Sequence, residues 1–134
     1  MAIKNGMTKG EYALRYDEYA SRLYYFALRL TGDELLSRRA MAELFTEGYR
    51  RCGEETFLED MVATLWEILE SDEPKAKGST LTLPTLRDIP LLSRAAVLMR
   101  IVFPIKENTV AQILDVSQPE LDELYSAARA GAAV

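Results

Sequence analysis

The sequence predicts an all-α fold of two small helical units joined by a linker, and three observations carry that prediction. Apolar residues recur three and four apart in successive segments of roughly 10 to 20 residues. Segment starts carry Ser/Thr-x-x-Glu signatures that close helix N-termini. No stretch shows the strict apolar/polar alternation of a strand. The units are expected at residues 8–70 and 85–130, with a linker over 71–84.

Thr8 and Glu11 form the first capping-box signature. Tyr12, Tyr16, Tyr19, Leu23, Phe26 and Leu30 follow at four-three spacing, the stripe of a long amphipathic helix. That row reads as a core face rather than as an aromatic ladder for stacking bases. Gly32 ends the helix, because it accepts positive φ without a Cβ clash. Asp33 caps a second helix running to Arg51, with Leu36, Ala40 and Leu44 on its apolar side, Phe45 and Tyr49 near it, and Gly53 as its stop. Thr56 and Glu59 give another capping box. The third helix then places Leu58, Met61, Val62, Leu65, Ile68 and Leu69 on one face, with Trp66 at its edge and partly exposed.

Residues 71–84 break every periodicity, and Pro74, Gly78 and Pro84 punctuate them. A further helix is expected from Pro90, since proline is tolerated in a first turn. It is apolar almost all round, from Leu91 to Phe103, and should be central to the second unit. Pro104 stops it. Val110, Ala111, Ile113 and Leu114 then mark a short helix, Asp115-Val116-Ser117 a turn, and Leu121, Leu124 and Ala128 the buried side of a last helix whose cap is Ser117 with Glu120.

Helix, turn and outward-presented helix is the architecture of a DNA reader. The charges oppose that function. The presented helix carries Glu120, Asp122 and Glu123 against Arg129 alone. Affinity for duplex DNA comes largely from Lys and Arg at phosphates. Across the chain the net charge is −5. Residues 1–52 hold nine bases and seven acids, a net +2, and residues 53–134 hold seven bases and fourteen acids, a net −7. After residue 52 the only close pair of bases is Lys75 and Lys77. An acidic surface suits a basic protein partner and repels nucleic acid or anionic membrane.

The remaining classes find little footing. The chain has one cysteine, Cys52, and no histidine. A lone cysteine forms no internal disulfide, which fits a reducing cytoplasm. No secretory signal or membrane-spanning run of about 20 apolar residues is legible. There is no Gly-rich phosphate loop and no metal-ligand spacing, so no cofactor, no metal and no enzymatic activity are expected. Cys52 would be nucleophilic only if Arg50 or Arg51 lowered its pKa.

Several segments carry a resemblance. Tyr16-Asp-Glu-Tyr with Leu23-Tyr-Tyr-Phe-Ala-Leu-Arg-Leu-Thr-Gly-Asp33 resembles the opening of region 2 in extracytoplasmic-function sigma factors. Phe45 with Tyr49-Arg50-Arg51 and Phe57 to Leu69 look like the next two family helices. Ile89-Pro90 through Leu98 resembles the opening of region 4. Val110-Ala-Gln-Ile-Leu-Asp-Val-Ser117 is similar to that family's Ile-Ala-Glu-Ile-Leu-Gly-Ile-Ser. The resemblance covers about residues 12–129 in order. It implies a sigma region 2-like three-helix unit and a sigma region 4-like helix-turn-helix unit.

The departures from the family define the expected function. Arg39 and Ala42 stand where the family has the Asp and Gln that engage RNA polymerase. Glu70-Ser-Asp-Glu73 follows Leu69 where region 2 should turn basic. Glu120-Leu-Asp-Glu-Leu124 stands where a Thr-Val-Lys-Ser-Arg type of recognition sequence is typical. This combination resembles the sigma-like half of PhyR-type response regulators of the bacterial general stress response, which imitate a sigma factor to capture its anti-sigma factor. Those proteins join a receiver domain to that half and act with sensor kinases; here the resemblance implies either an excised domain or a stand-alone mimic. The expectation is therefore a cytoplasmic transcription regulator that binds an anti-sigma factor in the groove between its units. Its contact residues would be Glu120, Asp122, Glu123 and Tyr125, with Trp66 as an anchor, and DNA and core polymerase binding would be lost. The alternative is a diverged sigma factor that still binds promoter DNA and RNA polymerase.

Overall fold

The computed structural model describes residues 7–71 and 90–133, with side chains to residue 129. The expected linker beyond Ser71 and the turn at 85–89 lie outside the described residues. Among the described residues there are six α-helices and no strand: α1 Lys9–Thr31, α2 Glu34–Arg51, α3 Phe57–Ser71, α4 Leu91–Val102, α5 Glu107–Leu114 and α6 Gln118–Ala133. No helix among them is long and apolar enough to cross a membrane.

Local chemistry explains the boundaries. At the start of α1 the Glu11 amide donates to the Thr8 hydroxyl at 3.1 Å and the Thr8 amide to Glu11 at 2.9 Å. These bonds hold the Glu11 carboxyl below its ordinary pKa, chiefly through the Thr8 backbone. Gly32 takes the left-handed conformation (φ 67°) that ends α1. Asp33 then accepts from the Leu36 amide at 2.9 Å and opens α2. Thr31 and Ser37 brace this corner from below. The Thr31 hydroxyl lies 2.9 Å from the Ala27 carbonyl and 3.2 Å from the Ser37 hydroxyl, and both side chains are buried.

The cap of α3 differs from expectation. Asp60, not Glu59, closes it: its Oδ2 accepts from the Gly53 amide at 2.8 Å and the Thr56 hydroxyl at 2.6 Å. The loop after α2 folds back over the helix start and brings Gly53 within reach of Asp60, one residue later than a capping box would use. Nor is Gly53 the stop of α2, which ends through Cys52 in extended backbone (φ −88°, ψ 130°).

Helices α1, α2 and α3 pack on one another, α4 lies against α1 and α6, and α5 lies against α4 and α3. A single buried cluster runs from Leu23, Phe26, Leu44, Met61 and Leu65 to Met99, Val110 and Leu121. Each such fully buried side chain contributes about 1.5 to 3 kcal/mol. Side chains pack the contact of α1 with α4. The Phe26 and Phe103 rings stand 5.5 Å apart. Arg94, only 7% exposed, donates to the Leu30 carbonyl at 2.6 Å, at the end of α1 where backbone acceptors lack helical partners. Helix α4, expected to be apolar almost all round, buries this arginine along with Ala95, Ala96, Leu98 and Met99 and leaves Ile101 72% exposed.

Candidate partner-binding surface

The last two helices, α5 and α6, are joined by a short turn. Asp115 ends α5 in left-handed backbone (φ 59°, ψ 49°), and its amide bonds back to Gln112 at 3.2 Å. This is the position at which the resembled motif has Gly; a short polar Asp tolerates the same conformation. The Ser117 amide donates to Glu120 at 2.8 Å and the Glu120 amide to the Ser117 hydroxyl at 3.3 Å, so the expected capping box closes α6. Leu121 and Ala128 are buried, and Leu124 is half-buried.

The proposed contact residues divide on this frame. Asp122 and Glu123 are exposed, and they project from the side of α6 away from Leu121 and Ala128. Asp122 has the Gln118 side-chain amide at 3.4 Å. Glu120 is exposed too, but its carboxylate closes the cap, and the Ser117 backbone and hydroxyl hold its pKa below the ordinary value. Its first role is structural. Tyr125 is half-buried under the Arg100 guanidinium, 5.3 Å from the ring centre, and Arg100 also pairs with Glu107. The Tyr125 hydroxyl is buried without a hydrogen-bond partner among the described residues. Burial raises its pKa; Arg100 opposes the rise and Asp122 adds to it. Tyr125 is therefore only in part available to a partner.

Trp66 is a correction. It is 4% exposed and belongs to the core, so it is not the partly exposed anchor expected from its place at the edge of the stripe. The reason is that α3 is flanked by α1, α2 and α5. A helix contacted from three sides buries a wider arc than one amphipathic stripe, and Phe57, Thr64 and Trp66 fall inside it.

The positions at which the sequence departs from the resembled pattern are open to solvent where they are described. Arg39 and Ala42 are exposed on α2, as are Glu70 and Ser71 at the end of α3. The sequence pattern puts Phe45 near the core side of α2; the structure leaves it 43% exposed, with Leu35 at 66%. Both residues lie off the Leu36/Ala40/Leu44 stripe in helical phase, which is the signal that could have found them.

Cys52 has no reactive character. It is fully buried, and its thiol pKa is pushed up from 9.0 to about 12, first by burial and then by Asp60, against weaker opposition from Thr64 and Arg51. Burial raises the Tyr12 phenol as well. Both groups keep protons in the folded chain at pH values where the unfolded chain has lost them. Their contribution is complete below pH 9.0 and is lost as pH rises toward about 12. Stability measured by denaturant titration should fall across that alkaline window. At pH 8 a thiol-specific disulfide reagent should modify Cys52 only in denaturant. Rapid reaction of the native protein would show that the α2–α3 junction opens.

Among the described residues no group of three or more Cys, Asp or Glu side chains is placed to hold a metal ion. No protein-family model, curated protein or solved structure matches the chain.

Proposed function

We propose that this protein is a sigma-factor-like regulator that works by protein–protein interaction, capturing an anti-sigma factor by mimicry and so freeing the true sigma factor. The supporting observation is the outer face of α6. The helix is capped and anchored as a DNA-reading helix would be, yet the side chains it presents are Asp122 and Glu123. That outer face is the surface this reading assigns to the partner. A helical basic segment suits it, with charge acting on selection and on-rate.

The test is the double substitution Asp122→Lys, Glu123→Lys. Both residues are exposed, so stability should move by no more than about 0.5 kcal/mol. Parent affinity for promoter DNA at about 0.15 M salt should be no better than the non-specific range, around 10⁻⁴ to 10⁻⁶ M. The variant should hold duplex DNA more tightly, with a salt dependence steeper by about two counterions. It should recover less anti-sigma factor from cells and bind it more slowly at low salt. Sequence-specific nanomolar binding of promoter DNA by the parent would overturn the reading and favour a working sigma factor. Unchanged association of the variant with its partner would remove α6 from the interface.

A further inference from the structure

Helix α1 is 23 residues long and buries one side, with Tyr12, Leu23, Phe26 and Leu30 in the core. In helical phase the side opposite them carries Leu14, Glu18, Ser21 and Tyr25, all exposed. Two of these are large apolar groups: Leu14 is 73% exposed and Tyr25 46%. They stand eleven positions apart on nearly the same line of the helix, about 16 Å along its axis. Beside Leu14 the surface has a shallow hollow of about 230 Å³, lined by Met7, Glu11, Leu14, Arg15, Glu18 and Glu54.

Charge on this face is sorted by position. Glu11 and Glu18, seven apart, flank Leu14, and Arg22 and Arg29, also seven apart, flank Tyr25. All four fall on one edge of the face in helical phase. Glu54 adds to the acidic end. The other bases at that end are turned elsewhere. Arg15 lies over the Phe57 ring at 4.7 Å and donates to the Glu54 carbonyl at 3.2 Å, and Lys9 lines a notch on the α2 side. Among the described residues Glu18 and Arg22 make no ion pair, and Arg29 lies over the Tyr25 ring at 5.2 Å.

We propose that the outer face of α1 is the contact through which two copies of this chain pair, their α1 helices antiparallel about a two-fold axis. A ligand of one sign would match one end of the face and be repelled by the other. A helix with the same order of charges, laid antiparallel, matches both ends, and a second copy supplies one. The register that sets Glu18 against Arg22 of the second copy also sets Glu11 against Arg29, and the two-fold axis repeats each pair. Asp17, on the other edge, meets no like charge, because residues 19–32 hold no acid. The same register brings Tyr25 of each copy to the hollow beside Leu14 of the other. One helix face is a small interface, so the dimer is weak, and its charges set register more than affinity. No residue of α6 takes part, so the pairing stands or falls independently of the anti-sigma reading.

The experiment is sedimentation equilibrium of the full chain. At about 0.05 M salt it should dimerise with a Kd of roughly 10 to 500 μM, and severalfold more weakly at about 0.5 M salt, where surface charges are screened. Glu18→Arg and Arg22→Glu, both at exposed positions and with circular dichroism unchanged, should each weaken the dimer by about tenfold or more. The variant carrying both changes should recover, because the charges exchange places across the contact. An equimolar mixture of the two single variants should recover as well. Tyr25→Glu should abolish pairing at either salt, and Asp122→Lys, Glu123→Lys should leave it unchanged. The proposal is overturned if the parent stays monomeric to about 1 mM, if either charge reversal or Tyr25→Glu leaves self-association intact, or if the doubly exchanged variant pairs no better than the single ones.

Discussion

Replacing Trp66 by alanine is expected to be severely destabilising, costing about 3 to 5 kcal/mol. The indole is buried at 4% exposure within the core that α3 shares with its neighbours. Truncation loses the transfer free energy of the ring and leaves a cavity that a helix clamped from three sides cannot close. For a domain of this size that loss is a large fraction of the total stability, about 5 to 15 kcal/mol. Thermal or denaturant unfolding followed by circular dichroism measures it. The parent's tryptophan emission, from one indole, should be blue-shifted and should move to the red only on unfolding. Were Trp66 a surface anchor, alanine would leave stability within about 0.5 kcal/mol and the emission would already be red.

The second large effect is at Gly48, where the usual sign of a substitution should be reversed. Alanine for glycine inside a helix ordinarily stabilises by roughly 0.5 to 1 kcal/mol, because it restricts the unfolded chain. Here a Cβ would stand 2.5 Å from the Tyr12 hydroxyl oxygen and 2.7 Å from the Met61 sulfur. Met61 is fully buried. The Tyr12 ring is held by Tyr49 at 5.2 Å and Phe57 at 5.8 Å as well as by Phe45. Neither neighbour can yield without disturbing others, and overpacking of this kind costs about 1 to 3 kcal/mol. Gly48→Ala should therefore lower the denaturant midpoint. Adding Tyr12→Phe removes the nearest oxygen, so the double variant should lose less than the sum of the two singles. Strict additivity would show that the hydroxyl is not what the methyl group meets.

Local chemistry was legible without the structure wherever a few adjacent residues decide the outcome. The Thr8/Glu11 and Ser117/Glu120 caps, the Asp33 cap and the Gly32 stop all form as the sequence predicts. Each is a hydrogen bond or dihedral preference spanning no more than four residues. The helical phase of α6, which turns Leu121 inward and Asp122 and Glu123 outward, follows from periodicity in the same way. Charge was also legible, since the acidity of the last helix is a property of composition and phase.

Tertiary structure decided whatever depends on how many neighbours a helix has. A periodic stripe reports one buried face; it does not say that α3 is contacted from three sides, so it leaves Trp66 at an exposed edge. It does not say that α1 and α2 pack closely enough to require Gly48, or that a gap beside Tyr12 leaves Phe45 open. Arg94 shows the same limit from the polar side. An arginine in an apolar helix reads as a solvated exception, whereas here its guanidinium donates to the Leu30 carbonyl, sixty-four positions earlier in the chain. Pattern along the chain set each helix and its amphipathic phase because those preferences are local. Burial of particular side chains waited on the fold, because it is set by contacts between residues far apart in sequence.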